Sequence, residues 1–217
     1  MWACRTAFAL ACLSSFALAG VGVAGEEHDY VGVEKCRTCH EKELMGDQLG
    51  TWSEGPHRRA YQSLLGEESA AIVERLEIEG PAQESDACLR CHLTAFGVSP
   101  LRIANVLAPD DGVQCESCHG PGRDYRKKKI MSDREKAEKK GLWNAGDDAS
   151  ICLGCHNPES PTFDLHRYRL PDGTTAGFDF EIAKGRIPHA IPEHVKGRFI
   201  ELDEAEKAAK KAAREAE

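Results

Sequence analysis

Aromatic side chains are scarce: three Trp, four Tyr and seven Phe make up 6% of the 217 residues, against 29% charged residues. A domain of this length normally fills its interior with large apolar side chains. So lean a supply argues against a core built from side chains alone and predicts that the chain wraps something else. No apolar run is long enough to cross a membrane. The longest, from Thr6 to Ala19, follows the lone charge of Arg5 and ends in small residues, which predicts a secretory leader over residues 1–24. Walker loops, dinucleotide fingerprints and Ser/His/Asp arrangements are missing, which leaves nucleotide-dependent and hydrolytic chemistry without a sequence basis. Basic patches interleaved with aromatics are missing too, so nucleic acid is not an expected partner. The formal net charge is −8, and loss of Arg5 with the leader makes it more negative, so partners are expected to present basic docking surfaces.

Beyond Cys12 every cysteine belongs to one repeated unit, Cys-x-x-Cys-His. It occurs at Cys36, Cys39 and His40, at Cys88, Cys91 and His92, at Cys115, Cys118 and His119, and at Cys152, Cys155 and His156. On a helical turn the three residues share one face. Two thiols can then reach the vinyl edge of a haem while the imidazole reaches its iron, and this pentapeptide is the signature of that attachment. Zinc is the competing reading, since paired Cys-x-x-Cys units make Cys₄ sites. Against it, each pair is followed at once by His. A disulfide framework would leave those histidines idle and would need cysteines three residues apart to bond. Four covalently attached haem c groups are therefore expected, with His40, His92, His119 and His156 as proximal ligands. Covalent attachment of haem outside the cytoplasm agrees with an exported, periplasmic location.

Along the chain, Thr51–His57 is expected as a loop running into a helix that carries Leu65, Ile72, Val73 and Leu76 as far as Gly80-Pro81. Ser85 or Asp86 and Asp148 or Ser150 are candidate caps for the second and fourth motif helices. Val98–Leu107 is expected to be short and extended, Asp133–Lys140 a solvated charged helix, and the chain after the fourth motif irregular loop. Pro188 and Pro192 place His189 on stiff, non-helical chain. The tail, 201–217, has strong helix propensity but only alanine on its apolar face, so an exposed, frayed helix is expected and not a docking element. Five histidines remain as sixth ligands: His28, His57, His166, His189 and His194. Counting does not assign them.

Several stretches together resemble the tetrahaem cytochrome c-554 family of ammonia oxidisers. They are Cys88-Leu-Arg-Cys-His92 with Phe96-Gly97, Gly112-Val-Gln-Cys-Glu-Ser-Cys-His-Gly-Pro-Gly-Arg123-Asp-Tyr-Arg126, and Trp52-x₄-His57-x₂-Ala60-x₂-Ser63-Leu64. The resemblance spans roughly residues 30–195. It implies a mainly α fold with extensive irregular loops, a single haem-wrapped domain of the multihaem cytochrome type over 25–200, with its haems in close pairs. It also implies electron transfer between redox proteins, from hydroxylamine oxidation onward. By the same likeness His57 ligates the fourth haem and His189 the third, with His194 as competitor. The second haem is implied to be five-coordinate beneath Ser160-Pro-Thr-Phe163, which carries the alternative of nitric oxide reduction at an open iron. At the first haem the likeness fails. Where the family has a distal histidine, this chain has Lys127, Lys128, Lys129 and Met131, so Lys129, Met131, His28, His166 or no ligand at all stay open there.

Overall fold

The computed structural model describes residues 28–103 and 106–216; the expected leader lies outside them. The described chain is a string of short helices joined by irregular loops. They are α1 (Val33–His40), α2 (Gln48–Glu54), α3 (Glu67–Arg75), α4 (Asp86–His92), α5 (Pro100–Ile103), α6 (Cys115–His119), α7 (Lys128–Met131), α8 (Arg134–Glu138), α9 (Ala149–Leu153), α10 (Phe180–Gly185) and α11 (Phe199–Glu215). The described strands are one antiparallel pair, β1 (Tyr168–Arg169) and β2 (Thr175–Ala176), with Tyr168 opposite Ala176.

Aspartates start four of these helices by accepting an exposed backbone N–H of the first turn. Asp47 takes Gly50 N at 3.0 Å, Asp133 takes Lys136 N at 3.1 Å, Asp148 takes Ser150 N at 2.9 Å and Asp179 takes Ile182 N at 2.8 Å. Ser85 precedes α4 without a side-chain bond and serves through its carbonyl, which accepts from Cys88 N and Leu89 N.

Four local expectations are corrected. Thr51–Glu54 is the end of α2, not loop, because the Asp47 cap lets helix start at Gln48. Within Val98–Leu107, residues 100–103 are helical, opened by a proline suited to a helix start. The chain after the fourth motif contains the β1–β2 hairpin and α10 as well as loop. The helix of the Asp133–Lys140 piece is exposed on one side only, since Ala137 is fully buried.

The fifth correction concerns the tail. Helix α11 starts at Phe199 and is docked, because Asp203 is buried with a side chain 3% exposed and receives Lys42, Lys128 at 2.6 Å and Lys207 at 2.8 Å. A carboxylate ringed by three ammonium groups tolerates burial that a lone one would not. Lys128 is thereby engaged, and its ammonium also lies 5.2 Å from the Phe199 ring centroid.

Packing of side chain on side chain is thin. One apolar cluster joins Leu64, Val73 and Ala82 to Tyr61, Ile78, Cys88 and Leu89 beneath α4. Elsewhere the most deeply buried large side chains are Gln114, Glu116 and Asp203, alongside Val195. Segments are tied by polar bonds instead. Gly112, at φ +58°, passes so close beneath residues 57–58 that a Cβ there would lie 2.7 Å from His57 O and 2.9 Å from Arg58 O. Beside that crossing Val113 N donates to His57 O at 3.0 Å and Trp52 Nε1 donates to Val113 O at 2.9 Å.

Candidate functional site

Helices α1, α4 and α6 each end on the histidine of a motif, and α9 carries Cys152 while Cys155 and His156 fall in the turn after it. The third motif is the most firmly framed. Glu116, the residue after its first cysteine, is 1% exposed, and its carboxylate accepts Val31 N, Gly32 N at 2.8 Å and Gly122 N at 2.6 Å. Burial raises the Glu116 carboxyl above the ordinary range, and the three backbone donors oppose that rise. Gln114 adds a fourth tie, accepting Val33 N at 3.0 Å. One carboxylate and one amide thus clamp the entry to α1 against α6. After His119 the chain turns at Gly120, at φ +75°, where a Cβ would lie 2.7 Å from Gly141 O. Tyr125 Oη donates to Gly120 O at 2.8 Å, and Trp143 N donates to His119 O at 3.0 Å.

The motifs converge. Cys36 is hydrogen-bonded to Cys115, a contact that raises the Cys36 thiol and lowers Cys115. Cys155, pushed up to about 12 by burial, hydrogen-bonds Cys91. Cys118 is pushed up to about 11 by burial and then by Cys152. The first motif therefore lies beside the third, the second beside the fourth, and the third beside the fourth. All eight cysteines of the motifs are free.

Two of the predicted attachment cysteines stand apart from this convergence. Cys88 packs against the apolar cluster beneath α4. Cys39, predicted to hold the first haem together with Cys36, is half-buried near the end of α1. Lys207 of α11, raised chiefly by its bond to Asp203, is raised further by Cys39. The reason lies in what fastens each end of α1. Cys36 sits near the end that Glu116 and Gln114 clamp to α6, whereas Cys39 O accepts Lys42 N at 3.4 Å, and the Lys42 ammonium binds Asp203 of the tail.

The predicted distal histidines are brought to the motifs in two cases. His57 faces His156 with ring centroids 6.1 Å apart and planes at 67°, and His189 faces His119 at 6.0 Å and 83°. A metal held between two imidazole nitrogens, about 2 Å from each, puts the ring centroids about 6 Å apart. Burial holds His40, His57 and His156 below the usual imidazole range and pushes His119 down to about 4, so all four are neutral at pH 7 and able to donate a lone pair. Nδ1 of several rings is already engaged: His92 with Ala60 O at 2.6 Å, His189 with Ile187 O at 2.6 Å and His40 with Gln48 Oε1 at 3.2 Å. Such bonds to the far ring nitrogen orient metal-binding histidines and leave Nε2 available. Among the described residues no group of three or more His, Cys, Asp or Glu side chains is arranged to hold a bare ion. Paired imidazoles suit an iron whose other four positions belong to a porphyrin.

The other candidates stand elsewhere. His28 is bonded through Nδ1 to Asp124 at 2.7 Å and packs against Gly141, His166 Nδ1 meets Thr175 Oγ1 at 2.7 Å, and His194 is exposed. Lys129 is exposed and Met131 half-buried. The loop holding Ser160–Phe163 is tied to the second motif helix by Arg90, which donates to Glu159 O at 3.2 Å.

Residues 35–120, which include the first three motifs, match the family model for cytochrome c554 and c-prime. The cytochrome c-554 of Nitrosomonas europaea is 30% identical over 141 residues, which cover 58% of this chain and 57% of that relative. These matches support the tetrahaem cytochrome c-554 family. The reduced state of cytochrome c554 from the same organism superposes with a TM-score of 0.47 at 24% identity, over 73% of this chain and 78% of that one. The matched segment spans little more than half of the c-554 relative.

Sequence reasoning did not pick out Glu116 and Asp203. Glu116 lies inside the third motif, but two of its three partners, Val31 and Gly32, are some 85 residues away in sequence. Asp203 had no signal, being one acid among many in a charged helix.

Proposed function

We infer that this chain is an exported, periplasmic c-type cytochrome that passes electrons between redox proteins through four covalently held haems. The attachments are Cys36 with Cys39, Cys88 with Cys91, Cys115 with Cys118 and Cys152 with Cys155, and His40, His92, His119 and His156 sit on the irons. His189 completes the third site and His57 the fourth. The observation that carries the reading is the pair of facing imidazoles, each drawn from a segment remote from its motif and set at the separation one iron requires. Haem supplies one-electron chemistry when bound. The chain's own residues orient it, exclude water from its faces and hold imidazoles neutral for it. Hydroxylamine oxidation is the electron source that the family likeness suggests, and the acidic stretch 67–86, with seven exposed carboxylates and one arginine, is a docking surface for a basic partner. The test is a haem count by pyridine haemochrome with intact-mass analysis, followed by stopped-flow mixing with reduced and oxidised small c-type cytochromes. Four attached haems and second-order exchange are expected. Fewer haems, or no exchange at any haem, overturn the reading.

A second reading, nitric oxide reduction at the second haem, has one supporting observation. An open cavity of about 180 Å³ begins at Leu93, next to His92, and is lined by Thr94, Phe96, Ile103 and Leu107. Gln114 also lines it, and its Nε2 is buried without a hydrogen-bond partner. A spectral shift of a high-spin ferrous haem under nitric oxide is expected, and a wholly low-spin electron paramagnetic resonance spectrum with no shift would sink it.

A further inference from the structure

The negative net charge hides a division. Residues 67–86 lie on the apolar cluster beneath the second motif and hold seven acids to one base. Residues 123–140 hold nine bases to four acids. This second stretch is a lobe whose two ends are fastened to the turn after His119. Tyr125 binds Gly120 O at its start, and Trp143 N binds His119 O just past its end. Between these anchors the four acids are already used: Asp124 by His28, Asp133 by Lys136, Glu135 by Lys139 and Glu138 by Arg134. Lys127, Lys129 and Lys140 are exposed and, among the described residues, carry no ion pair. Beside them Trp143 is exposed, its indole lying over Gly120. A bare basic rim next to an exposed aromatic is the composition of a protein-docking patch.

We propose that this lobe docks an acidic one-electron redox protein at the third haem, separately from the acidic stretch over the second motif, so that the chain meets two partners of opposite charge at two places. The proposal rests on the electron-carrier reading. Charge complementarity selects the occupant: an acidic surface is repelled by residues 67–86 and by the molecule as a whole, and finds the unpaired Lys127, Lys129 and Lys140 here. In the exchange one electron leaves the donor's reduced centre and one ferric haem of this chain becomes ferrous. No bond forms or breaks.

The test uses the holoprotein and two probes: a reduced acidic [2Fe–2S] ferredoxin as electron donor and, with the reduced holoprotein, oxidised mitochondrial cytochrome c, which is basic, as electron acceptor. The triple variant Lys127→Glu/Lys129→Glu/Lys140→Glu is compared with its Gln counterpart and with Glu74→Gln/Glu77→Gln/Glu79→Gln. Electrostatic steering changes association rates by about 10–10³-fold and fades with salt. Expected at low ionic strength is a loss of about tenfold or more in the ferredoxin rate for the lysine-to-glutamate variant, with a smaller loss for the glutamine form. Cytochrome c exchange stays within about twofold for both lysine variants and slows in the glutamate variant instead. Equal ferredoxin rates for wild type and the reversed variant overturn the proposal, as does an equal slowing with both probes. If wild type exchanges with neither probe, the electron-carrier reading itself fails. Soret spectra and circular dichroism matching wild type confirm that the variants are folded, which their exposed positions favour.

Discussion

The third and fourth motifs carry the same five-residue chemistry in opposite surroundings. At the third, a buried carboxylate and a buried amide fasten α6 to residues 31–33, and a tyrosine and a tryptophan close the turn behind it. At the fourth, Asp148 caps a five-residue helix, Leu153 and Gly154 are exposed, and Cys155 and His156 lie beyond the helix end, with His156 stacked on Phe178 at 5.4 Å. The difference teaches where the order comes from. The third motif is framed by hydrogen bonds from distant backbone, whereas the fourth leans on two rings beside its histidine, His57 and Phe178.

That contrast is broken most severely at Glu116. Glu116→Ala strands three buried N–H donors and is expected to cost about 3–5 kcal/mol, read as a lower midpoint in guanidinium unfolding of the holoprotein, while Glu116→Gln costs less. Next in size are the facing histidines. His57→Ala and His189→Ala are each expected to turn one low-spin ferric haem high-spin, and His57→Ala is expected also to lower haem occupancy of the fourth motif, because that site has less protein support. Electron paramagnetic resonance and intact mass read both; unchanged spectra in either variant would remove that histidine from the ligand set.

A smaller effect concerns the tail. Hydrogen bonds from Lys128, Lys207 and Lys42 hold the Asp203 carboxyl well below the usual aspartate range. A carboxyl lowered on folding contributes stability that is fully present above its unfolded value, about 3.9, and is lost as pH falls through the lower folded value. The tail is therefore expected to resist limited proteolysis at pH 5–8 and to become labile only in strong acid, while Asp203→Asn makes it labile throughout. Least of all, Asp148→Ala is expected to remove about 1 kcal/mol, the worth of one helix cap, and to do so mainly at the fourth motif.

The sequence made the chemistry legible because attachment of a haem fixes residue types within five positions. The helix cap at Asp148 was legible for the same reason, being local. The docked tail was not. Its anchor, Asp203, meets Lys42 and Lys128 from segments 161 and 75 residues away, and no periodicity in α11 distinguishes that acid from its exposed neighbours. For the same reason the motif spacing could not tell Cys36, near the end of α1 that Gln114 and Glu116 clamp, from Cys39, whose carbonyl accepts Lys42 N. The helical end of residues 51–54 was missed because its cap, Asp47, stands four residues before Thr51, while a helix was sought only after His57. The hairpin escaped notice because two-residue strands carry too few side chains for an alternating pattern.

The crossing at Gly112 has a consequence for how such a chain is made. His57 is laid down well before His156 and is pinned by its carbonyl to the segment that leads into the third motif. A chain emerging N-terminus first would thus present a finished half-site that waits for the last cysteine pair. Truncation after the third motif would leave that half-site with nothing to close on, so the array behaves as a unit completed by its final motif, and not as four modules that could be shortened one at a time.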